Sequence, residues 1–164
     1  MKVDKFIKDY DMAVKSKKDI NAFLNKRKTT DYISYVEKIS EAKKIVDFTS
    51  YITGEDGSKR FTQNAPMRYF LFILLLLRSY TDIEIDNEKS VQEFDLINER
   101  RLIPKFVELI GKEEYTEYQT VLNMVSDDEM ENFRSLAGYI DSKVDLFTTL
   151  LSAIEQNQPE EVVE

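Results

Sequence analysis

Between Met130 and Ile154, apolar side chains recur without a break at steps of 3, 4, 3, 4, 3, 4 and 3: Met130, Phe133, Ala137, Ile140, Val144, Phe147, Leu151 and Ile154. A mean period of 3.5 residues held over more than three heptads demands a long helix with one face that must be covered. Beside that stripe run Leu136, Tyr139, Leu146, Leu150 and Ala153. A face this broad suits the interior of a helical bundle better than a two-stranded coiled-coil seam. Two coverings stay open: helices of the same chain, the favoured one, or another chain.

A second constraint is the run Tyr69-Phe70-Leu71-Phe72-Ile73-Leu74-Leu75-Leu76-Leu77, which is bounded by Arg68 and Arg78. It is less than half the length of a membrane span, which takes about 20 residues. It therefore reads as a helix buried on nearly all sides. Asn64-Ala65-Pro66 opens it, with Asn as the N-cap and Pro in the first turn.

Other segments fit the same class. Val3, Phe6, Ile7, Tyr10 and Val14 mark an amphipathic helix, and Asp19 caps a short one carrying Ile20, Phe23 and Leu24. Tyr32, Ile33, Tyr35 and Val36 are β-rich and suggest an extended stretch. Ile39, Ala42, Val46 and Thr49 resume helical spacing. Gly54 and Gly57 bracket a Glu-Asp turn, so a small β-hairpin is expected at 51–62. A short helix carries Val91, Phe94 and Ile97; another opens near Pro104 and closes at Gly111. Tyr115, Tyr118, Leu122 and Val125 mark the helix before the heptad segment. The fold class is thus all-α: a compact bundle of about six to eight helices with a central apolar helix at Tyr69–Leu77 and a long C-terminal wall. One domain over 1–155 is expected, followed by an acidic flexible tail at 156–164.

Composition narrows the function. The 164 residues include no His and no Cys. That removes the usual neutral-pH general base, the thiolate nucleophile and imidazole or thiolate metal sites. A chain without disulfides suits a reducing cytoplasm. Met1-Lys2-Val3-Asp4-Lys5 carries charge with no apolar region behind it, so no targeting segment is expected. The net charge is −8, and it is uneven: residues 1–60 hold 14 Lys+Arg against 10 Asp+Glu, residues 61–164 hold 9 against 21. An acidic body disfavours direct nucleic-acid binding. The basic stretches Lys15–Lys18 and Lys26–Lys28 read as solvated helix ends and a loop.

Three constellations resemble chemical sites. Counted from Asp82, oxygen-bearing residues at Asp82, Glu84, Asp86, Ser90 and Glu93 follow the ligand spacing of an EF-hand calcium loop. Asn87 stands where Gly makes the turn, and Lys89 brings a positive charge, so a polar loop with Asn87 or Ser90 capping the next helix is the plainer reading. Ser40 and Lys43 match the S-x-x-K pattern of serine acyl-enzymes, without the S-D-N or K-T-G partners. Asp127-Asp128-Glu129 with Glu131, and Glu113-Glu114 with Glu117, are adjacent carboxylates rather than a pair facing across a cleft. Asp127 or Asp128 is better placed as a cap of the heptad helix. No catalytic, cofactor-binding or metal-binding residue, and no cofactor, is therefore expected.

Taken in order, Tyr35-Val-Glu-Lys38, Asn64-Ala-Pro-Met-Arg-Tyr69, Tyr80-Thr-Asp-Ile-Glu84, Phe94-Asp-Leu-Ile97, Arg101-Leu-Ile103 and Asp127-Asp128 resemble short acidic proteins encoded by phages and prophages of low-GC Gram-positive bacteria. The resemblance spans residues 3–154 and transfers no functional residues. It implies a phage-linked protein of the host cytoplasm or the virion. The expected function is non-catalytic: docking on phage structural proteins or on itself, in virion assembly or as a minor scaffolding component. The alternative is an acidic inhibitor of a host nucleic-acid enzyme or defence system. Neither reading involves a membrane, a small-molecule substrate or direct nucleic-acid contact.

Overall fold

The computed structural model describes residues 1–53 and 59–156. The architecture is all-α, with a two-stranded antiparallel hairpin inserted. In chain order the elements are α1 (Val3–Lys15), α2 (Ile20–Asn25), α3 (Tyr35–Ser50), β1 (Tyr51–Thr53), β2 (Lys59–Phe61), α4 (Ala65–Tyr80), α5 (Ser90–Glu99), α6 (Leu102–Ile110) and α7 (Lys112–Gln156). By contacts the chain divides into two compact units, Met1–Ser126 and Asp127–Glu164. The expected tail beyond Gln156 lies outside the described residues.

The first unit is organised around α4, which packs against α3, α5 and α6. Phe72, Ile73, Leu76, Leu77 and Tyr80 join Phe6, Leu24, Val46, Ile97, Leu102 and Phe106 in one core. The expectation of a central apolar helix is met. Its start is set by the Asn64 side chain, which accepts from the Met67 amide at 3.0 Å, with Pro66 in the first turn. Asp19 likewise caps α2, accepting from the Ala22 amide at 3.1 Å. The rings of Phe72 and Tyr118, 5.5 Å apart and edge to face, bring the start of α7 onto α4. The hairpin pairs Tyr51 with Phe61, Ile52 with Arg60 and Thr53 with Lys59. Its expected Glu-Asp turn lies outside the described residues.

Three local expectations are corrected. Tyr35 and Val36 open α3 rather than extending a strand: Ser34 Oγ accepts from the Glu37 amide at 3.3 Å, and this cap overrides β propensity. Asp86, not Asn87 or Ser90, supplies the side-chain cap after the 82–86 loop, accepting from the Glu88 amide at 3.0 Å at the head of a 3-10 turn over Asn87–Lys89. Asp127 and Asp128 cap nothing, because they sit inside α7. Gly111, at φ +106°, ends α6, and its carbonyl accepts the first α7 bond, from the Tyr115 amide. From Lys112 to Ala137 there is then neither Gly nor Pro to stop the helix.

Candidate functional site

The 45 residues of α7 make a helix of about 67 Å, at about 1.5 Å per residue. Among the described residues no other helix exceeds 16 residues, or about 24 Å. None of them can flank α7 along its whole length. Within the first unit Tyr118, Val121, Leu122 and Ser126 are buried. In the second unit the apolar face is exposed: Ile140 is 52%, Val144 57% and Phe147 68% exposed on the heptad stripe, and Leu136 58% on the stripe beside it. The favoured expectation, that this stripe is filled from within the chain, is corrected at these positions. Ala137 is half-buried, and the side chains of Leu146, Leu150, Leu151, Ala153 and Ile154 lie outside the described residues.

The charge follows the same division. Residues 1–126 hold 21 Lys+Arg and 21 Asp+Glu, so they are neutral, and the whole net charge of −8 falls in residues 127–164. Inside that stretch, residues 132–154 carry only Arg134, Asp141, Lys143 and Asp145 and are neutral. The excess lies on either side: Asp127, Asp128, Glu129 and Glu131 before, and Glu155, Glu160, Glu161 and Glu164 after. An apolar stretch of no net charge is thus framed by two acidic segments.

The strongest electrostatic constellation was not foreseen. Lys38 is fully buried on α3, and its Nζ lies 2.9 Å from Glu114 Oε2 and 3.1 Å from Glu117 Oε2, both on α7. The Tyr80 hydroxyl donates to Glu114 Oε1, and the Ile33 amide donates to the same oxygen at 3.1 Å. The Tyr32 ring covers the ammonium at 4.9 Å. Burial alone would lower the Lys38 pKa, but its hydrogen bonds to Glu114 and Glu117 outweigh that and hold it above its ordinary value. Burial would raise Glu114, but donation from Tyr80, Lys38 and Ile33 holds it below the carboxylate range. Tyr80 is pushed up by burial and by its bond to Glu114. Every group is paired in its charged or donating form, so the cluster ties α3, α4, α7 and the 29–34 segment together and offers no free base. One signal was present in the sequence. Lys38 falls at helical spacing with Ala42, Ile45 and Val46, a cation on an apolar face.

The sequence-level chemical candidates are occupied by other work. Asp82 pairs with Arg27 at 3.0 Å, and Glu93, nearly buried, accepts from the Asp86 amide at 2.8 Å. Asn87 accepts from Arg78, at 2.5 Å. The carboxylates at the first, fifth and last positions of the calcium-like spacing are therefore turned onto protein partners. Ser40 and Lys43 are both exposed on α3. Among the described residues no group of three or more acidic side chains could hold a metal ion. An apolar hollow of about 280 Å³ lies between α3 and α4, lined by Ile45, Phe48, Leu71 and Leu75 with Glu41, Lys44 and Arg78 at its edge.

Among the described residues, no helix is long and apolar enough to cross a membrane. No known protein family, curated protein or solved structure matches the chain.

Proposed function

We propose that this is a non-catalytic interaction protein, and that the exposed face of α7 around Leu136, Ile140, Val144 and Phe147 is its contact surface. The carrying observation is that these four large apolar side chains, on one continuous helix face, are each more than half exposed. Covering the exposed part of each would contribute about 1–2 kcal/mol, and soluble proteins rarely leave so continuous a face open without a use for it. The resemblance to phage and prophage proteins supports a setting in virion assembly, as a minor structural or scaffolding component in the host cytoplasm or the virion. Affinity capture of the tagged chain from phage-bearing cells, read by mass spectrometry, tests this reading. Capsid, portal or tail proteins retained by the wild type and lost by Val144→Asp support it. Identical recoveries by both proteins count against the face.

A second reading rests on the concentration of the whole net charge in residues 127–164. There the acidic segments compete for the basic surface of a host nucleic-acid enzyme or defence protein. Its partner would be basic and its binding would weaken with salt. Affinity unchanged between low and high ionic strength would contradict it.

A further inference from the structure

We infer that the apolar face of α7 beyond Ser126 is covered by the same face of a second copy of this chain. The inference rests on the interaction reading above and names the partner. Three observations favour a copy over an unrelated protein. The 3-4 spacing from Met130 to Ile154 is the geometry in which two like helices mesh side chains, so the face is complementary to itself. Residues 132–154 are neutral within a chain of net charge −8, so two copies meet along the seam without net repulsion. The charges that remain also suit an antiparallel pair. Arg134 and Asp141 stand one heptad apart at the same position beside the seam. A two-fold axis between them brings position 134 of each copy to position 141 of the other, two positions of opposite charge in the sequence.

In that register residues 127–131 of each copy run beside 144–148 of the other, so these acidic segments do not face one another. A seam closed mainly by apolar side chains depends little on salt, whereas binding to a basic partner weakens with it. Salt dependence therefore separates a second copy from a cationic protein. The face extends through Leu136, beside the main stripe, so the assembly holds two or more copies.

Sedimentation equilibrium of the full chain, at several concentrations and at low and high salt, tests the inference. The expected result is a mass of at least twice the 19.3 kDa chain, with the dissociation constant changing by less than about threefold as salt rises from about 50 to 300 mM. Val144→Asp and Ile140→Asp each return the mass to one chain while thermal unfolding of the helical core is unchanged. A one-chain mass at every concentration overturns the inference, as does an oligomer that both variants leave intact. Binding of a hydrophobic dye separates the two failures. A monomer that binds dye through this face, and loses it in Val144→Asp, keeps the interaction reading and rejects the second copy. A monomer that binds none rejects both.

Discussion

Lys38 shows how one residue can hold a fold while doing no chemistry. A fully buried ammonium is tolerated only because Glu114 and Glu117 face it and Tyr80 and Ile33 satisfy the remaining acceptor demand of Glu114. Lys38→Met is expected to destabilise the first unit by about 3–5 kcal/mol, because two carboxylates lose their counter-charge. Adding Glu114→Gln should recover part of that loss, and denaturant unfolding of the single and double variants checks both. The pH dependence follows from the same cluster. Glu114 titrates below its ordinary 4.5, so its contribution is present above that value and is lost as pH falls through the folded pKa. Lys38 titrates above its ordinary 10.5, so its contribution is present below that value and is lost as pH rises through the folded pKa. The melting temperature should be flat between these limits and fall beyond both, and Lys38→Met should remove the alkaline fall attributable to this cation. The sequence placed Lys38 on an apolar helix face, but its partners are 76 and 79 residues away, and no local pattern carries a pairing at that distance.

At the scale of elements, two side-chain caps and the breaker at Gly111 were legible, while the caps at Ser34 and Asp86 were not. Asn64 and Asp19 cap the helices they were expected to cap, because an Asx side chain before an apolar-periodic run satisfies orphan amides locally. Asn64→Ala should cost about 1 kcal/mol, measured as a shift in the denaturation midpoint. The fusion of two expected helices into α7 was less legible. Asp127-Asp128 is a cap signature only where the chain before it leaves helical geometry, and nothing between Lys112 and Ala137 makes it leave. Gly138 is the weak point of the exposed half. A Cβ built there meets nothing within 4 Å. Gly138→Ala should therefore stabilise that stretch by up to about 1 kcal/mol, read as slower amide exchange around the site.

At the scale of the molecule, length and charge together define the account. The core of Met1–Ser126 is built from helices of 6 to 16 residues and the first part of α7, and it is electrically neutral. The remainder of α7 carries a regular apolar face framed by acid. The heptad pattern itself was plain in the sequence. Whether the chain filled it was not, because that depends on the lengths of the neighbouring helices rather than on the stripe. The central claim is that this face is open in one chain and closed by association. The most direct test is amide hydrogen exchange along α7 as a function of protein concentration. The account expects strong protection over residues 112–126 at every concentration. It expects fast exchange over residues 132–148 in dilute protein, slowing as concentration rises. Strong, concentration-independent protection across both stretches in a one-chain species would mean that the chain covers its own face, and would contradict the account.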